Sequence, residues 1–160
     1  MLGVKFVFVG KMREKHYVSA YGEYEKRLAA YCRCETAETT ETRLGDEPSE
    51  KEIAAALEKE AGEIERLIPK GAYTVALCVE GEKLSSPGLA KLISDKTAAG
   101  TSKLCFLVGG SFGLADRVKR AADLRLSMSD MTFPHHLARV MLIEQVYRAL
   151  SINGGARYHK

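Results

Sequence analysis

Three glycines follow an apolar run in the second half of the chain. Residues 104–114 read LCFLVGGSFGL, so Gly109, Gly110 and Gly113 stand between a predicted strand and the start of a predicted helix. A glycine-rich turn in that position commonly holds a phosphate group. The two standard phosphate patterns are G-x-x-x-x-G-K-[ST] and, after a first strand, G-x-G-x-x-G. Neither pattern is present, which argues against a ligand held by its phosphates.

The same turn suits a ligand that lies against backbone and carries no phosphate. S-adenosylmethionine has an adenine, a ribose and a positive sulfonium, and apolar side chains beside short rigid loops could hold it. The alternative is a tight strand-to-helix turn, in which glycine supplies only a positive φ or close packing. The local pattern alone leaves both interpretations open.

The C-terminal part of the chain is the basic part. Residues 103–160 contain nine Lys and Arg against four Asp and Glu, whereas residues 1–102 are slightly acidic. Three of the four histidines also lie in residues 103–160. This distribution suggests a polyanionic partner.

The composition predicts one cytoplasmic domain that spans residues 1–160. A hydrophobic content of 46% over 160 residues is typical of a single globular domain. The N-terminal MLGVKFVFVGK has no basic leader and indicates a strand rather than a signal peptide. The four cysteines lack zinc-site spacing, so we expect buried or half-buried thiols and no metal.

Alternating strand-like and helix-like segments predict an α/β fold, with a mainly parallel sheet flanked by helices. Ser49 and Glu52 form a capping box for one helix, and Ser86 before Pro87 predicts the cap of the next. Predicted strands cover residues 2–9, 32–38, 72–79, 103–108 and 124–127, and predicted helices cover 15–31, 49–67, 86–100, 114–122 and 135–151. Because parallel sheets bind ligands beyond the carboxyl ends of their strands, the segments after these strands should share one rim.

The last predicted helix, residues 135–151, is apolar over about half of its circumference or more. Either other parts of the same domain or a second copy of the chain must cover it. We expect a homodimer interface. Residues 39–48 are polar and are expected to form a tolerant surface loop.

Several motifs together resemble a known family. They are FLVGGSFGL, LRLSMSDMTFPHHLARVMLIEQVYRA and a terminal YHK, together with VGK after the first strand, YEKRL in the first helix and EGEKLSSPGLA after the third strand. On these residues the chain resembles the RlmH family, the small bacterial methyltransferases of large-subunit ribosomal RNA in the SPOUT superfamily. The resemblance covers the full length, and residues 103–160 are its most specific part.

This resemblance implies a C-terminal trefoil knot within about 103–151, an obligate homodimer, and S-adenosylmethionine bound in a bent shape inside the knot. It implies methylation at N3 of a pseudouridine in helix 69 of 23S rRNA, with the assembled ribosome as substrate. The residues it places at the cofactor are Leu77, Gly109, Met128, Ser129, Asp130, Met131, Thr132 and Phe133.

The acceptor nitrogen of that reaction carries a proton that must leave, so the site needs a base or groups that stabilise the anion. The resemblance places the tail with Tyr158 and His159 at the active site of the other subunit. His159 is the candidate base, Tyr158 could stack on the RNA base, and Arg139 could hold the developing anion. The candidate RNA contacts are Lys11, Arg13 and Lys160.

Some interpretations remain paired with alternatives. His135 and His136 fit either a structural role or substrate contact, and Asp130 fits either the sulfonium or water. Glu144 and Arg148 are expected to form a structural i,i+4 pair. The alternative functions are a non-catalytic ribosome-binding factor that retains the knotted fold, and a knotted methyltransferase that acts on another RNA such as tRNA.

Overall fold

The computed structural model describes residues 1–159, which form one parallel sheet between two layers of helices. The strands are β1 (Gly3–Val9), β2 (Arg33–Thr39), β3 (Tyr73–Lys83), β4 (Lys103–Val108) and β5 (Leu124–Ser127), and the helices are α1 (Lys15–Leu28), α2 (Glu50–Leu67), α3 (Ser86–Ala98), α4 (Asp116–Ala121) and α5 (His135–Asn153). The order across the sheet is β2-β1-β4-β3-β5, and every described pair is parallel. The predicted α/β class and parallel sheet are confirmed.

Both faces of the sheet are covered by helices. Successive strand residues point to opposite faces, so Phe6 and Phe106 pack on one side with α1, α3 and α5. Val7 and Leu107 pack on the other side with α2 and α4. This double burial explains why β1 and β4 are continuous apolar runs rather than alternating ones.

The helix caps follow local sequence signals, with one correction. The capping box of α2 is present: the Ser49 hydroxyl accepts from the Glu52 amide at 3.1 Å, and the Glu52 carboxylate accepts from the Ser49 amide at 3.3 Å. The cap predicted for α3 is wrong by one residue, because Ser85 rather than Ser86 is the N-cap. The Ser86 hydroxyl instead donates to the Gln145 side chain of α5 at 2.6 Å.

Helix α5 is buried mainly within its own chain. Leu142, Ile143 and Val146 are fully buried in the cluster that includes α1 and α3. The sequence left two ways of covering these faces and favoured a second copy; this part of the helix is covered within the chain, and the homodimer stays a prediction. Val140 and Met141 are only half-buried and line an open cleft beside α1 and α3.

The segment after β2 is anchored, although it contains no helix or strand. Glu63 of α2 accepts a hydrogen bond from the Thr40 amide at 3.2 Å, and Glu60 accepts one from the Thr42 amide at 2.9 Å. Burial raises the pKa of the Glu60 carboxyl because the charged form loses hydration. Residues 40–42 therefore have a fixed path, where the sequence predicts a tolerant loop.

Two further observations concern residues 1–159. No helix in this part of the chain combines the length and the apolarity that a membrane crossing needs. All four cysteines are free thiols, and within the same residues no three potential metal ligands of the His, Cys, Asp or Glu type are grouped together.

Candidate functional site

Three segments at the carboxyl ends of the strands enclose a cleft of about 380 Å³. They are the distorted part of β3 at residues 77–80, the turn at 109–114 after β4, and the loop that follows β5. Lys119 of α4 and the residues His135 and Ala138 from the start of α5 complete the lining. The volume lies in the range of roughly 300–1,000 Å³ that is usual for small-molecule sites.

An irregularity in β3 shapes one wall of the cleft. Leu77 pairs with Leu126 of β5, and after a register shift Glu82 pairs with the same residue. The residues between them are therefore bulged out of the ladder. A Cβ on Gly81 would lie 2.7 Å from the carbonyl carbon of Leu126, so glycine permits β5 to approach this closely.

The glycine turn after β4 folds back on itself. A Cβ on Gly109 would collide with the carbonyl oxygen of Gly113, whose own φ is +79°. The Gly113 amide donates to the Gly110 carbonyl at 3.1 Å. The tight-turn interpretation therefore accounts for glycine at position 109. Ligand binding by this turn stays a proposal, made possible by its position in the cleft wall.

The loop after β5 holds its shape through its own hydrogen bonds. Ser127 donates to the Ser129 carbonyl at 3.1 Å, and the Ser129 hydroxyl accepts from the Met131 amide at 3.0 Å.

Seven of the eight residues predicted at the cofactor line the cleft: Leu77, Gly109, Met128, Ser129, Met131, Thr132 and Phe133. Asp130 does not, because its exposed carboxylate pairs with Lys83 at 2.5 Å.

The cleft has an apolar rim and little charge. Val79, Phe112 and Met131 are among the few large hydrophobic side chains that are at least half exposed, and all three line this cleft. Lys119 is the one Lys or Arg among the described lining residues, and it pairs with Glu80 at 2.8 Å. Such a lining suits an adenosine group and offers no cluster of cations to a polyphosphate.

The two histidines at the start of α5 have different surroundings. His135 lines the cleft, and burial together with the neighbouring His136 lowers its pKa, so its ring is neutral at pH 7. His136 Nδ1 lies 2.9 Å from the Glu14 carboxylate and ties α5 to the start of α1. The structural interpretation fits His136, and contact with a ligand fits His135.

Arg139, the predicted anion-holding residue, lies in the core. Its side chain is fully buried, with Nη1 at 3.1 Å from the Glu38 carboxylate and Nη2 donating to the Val9 carbonyl at 2.5 Å. The guanidinium carbon lies 4.8 Å from the centre of the Phe8 ring. Arg139 thus joins α5 to the ends of β1 and β2, and its burial does not fit the predicted contact with substrate.

The C-terminal tail folds back along α5 of the same chain. The Tyr158 hydroxyl donates to Glu144 at 3.1 Å and lies 3.5 Å from the Tyr24 hydroxyl. These hydrogen bonds, together with burial and the Glu144 charge, raise the pKa of Tyr158. His159 Nδ1 lies 3.2 Å from an Arg148 nitrogen.

Glu144 links the tail to a second cleft. It forms the predicted i,i+4 pair with Arg148, with Nε at 2.9 Å from the carboxylate. Glu144 and Tyr24 line this second cleft, which has a volume of about 460 Å³ and lies between α1, α3 and α5. Neither Tyr158 nor His159 lines the first cleft of its own chain.

The predicted RNA contacts Lys11 and Arg13 line a third cleft, of about 570 Å³, at the end of β1. Arg43 adds a third cation from the neighbouring loop. All three side chains are exposed, and none forms an ion pair with another residue in the described range. Sequence reasoning missed Arg43, although parallel pairing of β1 with β2 could have placed the two loops together. Lys160 lies outside the described residues.

Comparisons with known proteins add a consistent family assignment. The family described as "Predicted SPOUT methyltransferase" matches residues 2–159. The chain is 43% identical over 159 residues to Ribosomal RNA large subunit methyltransferase H of Clostridioides difficile, covering 99% of this chain and 100% of that protein. It is 44% identical to the protein of the same name from Moorella thermoacetica, with full coverage of both.

A solved structure of a tRNA methyltransferase from Aquifex aeolicus has a similar fold. The TM-score is 0.53 at 16% identity, and the match covers 91% of this chain and 69% of that one.

Proposed function

The chain belongs to the SPOUT methyltransferase family, and we propose that it transfers a methyl group from S-adenosylmethionine to N3 of a pseudouridine in 23S rRNA. The proposed target lies in helix 69 of the assembled ribosome, in the cytoplasm. The names of relatives that are 43% and 44% identical over their full length support ribosomal RNA as the substrate. The choice of pseudouridine as the target nucleotide and of N3 as the methylated atom rests on the sequence motifs that carry the family resemblance.

One observation carries the cofactor assignment: an apolar-rimmed cleft at the carboxyl end of the sheet, lined by seven of the residues predicted to bind it. When bound, S-adenosylmethionine would supply an electrophilic methyl group. The turn at 109–113 and the loop at 128–133 would hold the cofactor between them and exclude water. A neutral His135 adds no positive charge beside a sulfonium.

The base that removes the N3 proton would come from a second copy of the chain. The fourteen residues of α5 from His135, at the first cleft, to Arg148, at the tail, span about 20 Å along the helix. We therefore assign the tail of one subunit to the cleft of the other. There His159 would accept the proton, and Tyr158 would stack on the RNA base. The homodimer and the trefoil knot belong to this proposal.

The third cleft supports a role in holding the RNA backbone. Lys11, Arg13 and Arg43 bring three exposed cations to the same edge of the sheet as the cofactor cleft. Phosphate contacts of this kind position a nucleic acid without reading its sequence.

We expect Arg43→Gln to weaken binding to ribosomes several-fold and to reduce its salt dependence. Arg33→Gln, an exposed change at the opposite end of β2, is the control. Equal binding by the two variants in a filter-binding assay would remove Arg43 from the RNA surface.

Methylation of ribosomes from a strain that lacks the modification tests the proposed function. Purified protein and labelled cofactor are incubated with intact ribosomes, free 23S rRNA or tRNA, and the modified base is mapped. Label on the helix 69 pseudouridine of intact ribosomes is the expected result. Label on tRNA would favour the alternative RNA substrate, and ribosome binding without label would favour a non-catalytic factor.

A further inference from the structure

Glu41 places a carboxylate where the glycine turn after β4 meets the end of β1. Its Oε1 accepts hydrogen bonds from the Ser111 amide at 3.1 Å and from the Ser111 hydroxyl at 3.0 Å. Ser111 belongs to the turn that forms one wall of the first cleft. Because both donors belong to one residue and the acceptor is charged, this contact restrains the backbone and the side chain of Ser111 together.

Two glycines make room for this carboxylate. A Cβ on Gly10 would lie 2.8 Å from Glu41 Oε2, and a Cβ on Gly110 would lie 2.7 Å from Glu41 Oε1. Both distances are shorter than Cβ contacts in real proteins, so any side chain at either position would displace the carboxylate. Gly10, Glu41, Gly110 and Ser111 therefore form one fitted unit, which we call the Glu41 seat.

The backbone on both sides of Glu41 is also held in place. The amides of Thr40 and Thr42 donate to Glu63 and Glu60 of α2. A side chain carried by a freely moving loop could not restrain another segment. Here the segment has a fixed path, so the carboxylate can transmit that rigidity to the glycine turn.

We infer that Glu41 is a positioning residue for cofactor binding, which holds the glycine turn in the conformation that lines the cleft. The inference rests on the proposed function, because it takes the ligand of this cleft to be S-adenosylmethionine. Without the carboxylate, the turn would sample other conformations in the free protein. Ordering it again on binding would lower the affinity.

Calorimetric titration with S-adenosylmethionine tests this inference with three variants. We expect Glu41→Ala to weaken binding by about tenfold or more, the size that hydrogen bonds to a charged group support. Glu41→Gln should retain most of the affinity, because its amide oxygen can accept from the same two donors. Glu47→Ala changes an exposed glutamate of the same loop and should bind like the unmodified protein.

Steady-state kinetics on ribosomes separate positioning from loss of folded protein. In Glu41→Ala the effect should fall on KM for S-adenosylmethionine, whereas partial unfolding would lower kcat and leave KM unchanged. Ser111→Ala should weaken binding by a smaller factor. The double variant should lose less than the two single losses combined, because the partners share one interaction.

The outcomes distinguish this inference from the function on which it rests. If the unmodified protein binds the cofactor and Glu41→Ala has the same Kd and KM, the positioning role of Glu41 is overturned and the proposed function stands. Absence of binding by the unmodified protein would overturn both. If Glu41→Ala fails to fold by thermal melting, Ser111→Ala and the Glu41→Gln rescue decide the question.

Discussion

The shape of the first cleft depends on the absence of a side chain at Gly109. The backbone of Gly113 occupies the space that a Cβ would need. Any other residue at position 109 must therefore push the turn off its present path. The effect on a ligand is indirect, because the backbone of the turn moves first and the cleft wall moves with it.

We predict that Gly109→Ala weakens S-adenosylmethionine binding by about tenfold or more, since overpacking of this kind typically costs about 1–3 kcal/mol. Calorimetric titration provides the measurement. Gly45→Ala is the matched control, because no heavy atom lies within 4 Å of a Cβ at that position. Unchanged affinity in Gly109→Ala would mean that the turn does not touch the ligand.

Cofactor affinity is also expected to depend on pH through His135. Its pKa is lowered by burial and by His136, while the carboxylates of Glu14 and Glu41 oppose this shift and Arg139 reinforces it. The ring is therefore neutral at pH 7 and gains its proton only at a pH below its ordinary value of about 6.5. A protonated ring in the cleft would repel the cationic sulfonium.

The Kd should consequently rise as the pH falls from 7 towards 5, and His135→Gln should remove that rise. Titrations at constant ionic strength across this range provide the test. A His135→Gln variant with the same pH dependence as the unmodified protein would assign the effect to another group. His16→Gln serves as the comparison, because His16 is exposed and does not line the cleft.

At the scale of elements, α2 fixes the segment that follows β2, and it does so with a buried carboxylate. The pKa of Glu60 is raised by burial and by the neighbouring charges of Glu41 and Glu63. A carboxyl whose pKa is higher in the folded than in the unfolded state favours folding at low pH. That contribution is lost as the pH rises through the folded-state pKa.

Glu60→Gln is therefore expected to raise the Tm at pH 7 by a few degrees, because it keeps the acceptor for the Thr42 amide and removes the charge. The difference should shrink as the pH falls towards 4, where the carboxyl of the unmodified protein is protonated. Thermal melting across this pH range measures it, with the exposed Glu47→Gln as control. A lower Tm for Glu60→Gln at pH 7 would contradict the expectation.

The helices, the strands and the edge of the sheet at which the first cleft lies were predictable from the sequence. Contacts between segments that are distant in the chain were not. Strand runs, the α2 capping box and the turn at Gly109 have local signals, because each depends on neighbours in the chain. The burial of Arg139 and the formation of the Glu41 seat depend on residues from other strands and loops. Spacing carries no information about such neighbours, so the sequence predicts a catalytic Arg139 and places Glu41 in a tolerant surface loop.

For the molecule as a whole, the half-buried face of α5 at the second cleft is the surface where a second copy is expected. Leu142 is a poor probe of that interface because it is fully buried within the chain. Met141 is half-buried and lines the second cleft, so a charge there would face the partner. The tail of the same chain packs close by, on Glu144.

Met141→Glu should convert the dimer to a monomer in light scattering, keep the thermal transition within a few degrees, and abolish methylation of ribosomes. Val18→Glu, an exposed apolar position on α1, should remain dimeric and active. A dimeric Met141→Glu protein would place the interface elsewhere. A monomeric and fully active one would show that the two subunits do not share an active site.

Leu142, Ile143 and Val146 are covered inside one chain, so the burial of this core would not depend on the proposed dimer. Dilution would separate the subunits without uncovering this core. If the tail of one copy completes the cleft of another, the protein at low concentration would then remain folded but catalytically inactive. Its activity would rise more steeply than its abundance, and the number of copies in a cell would set the fraction able to methylate.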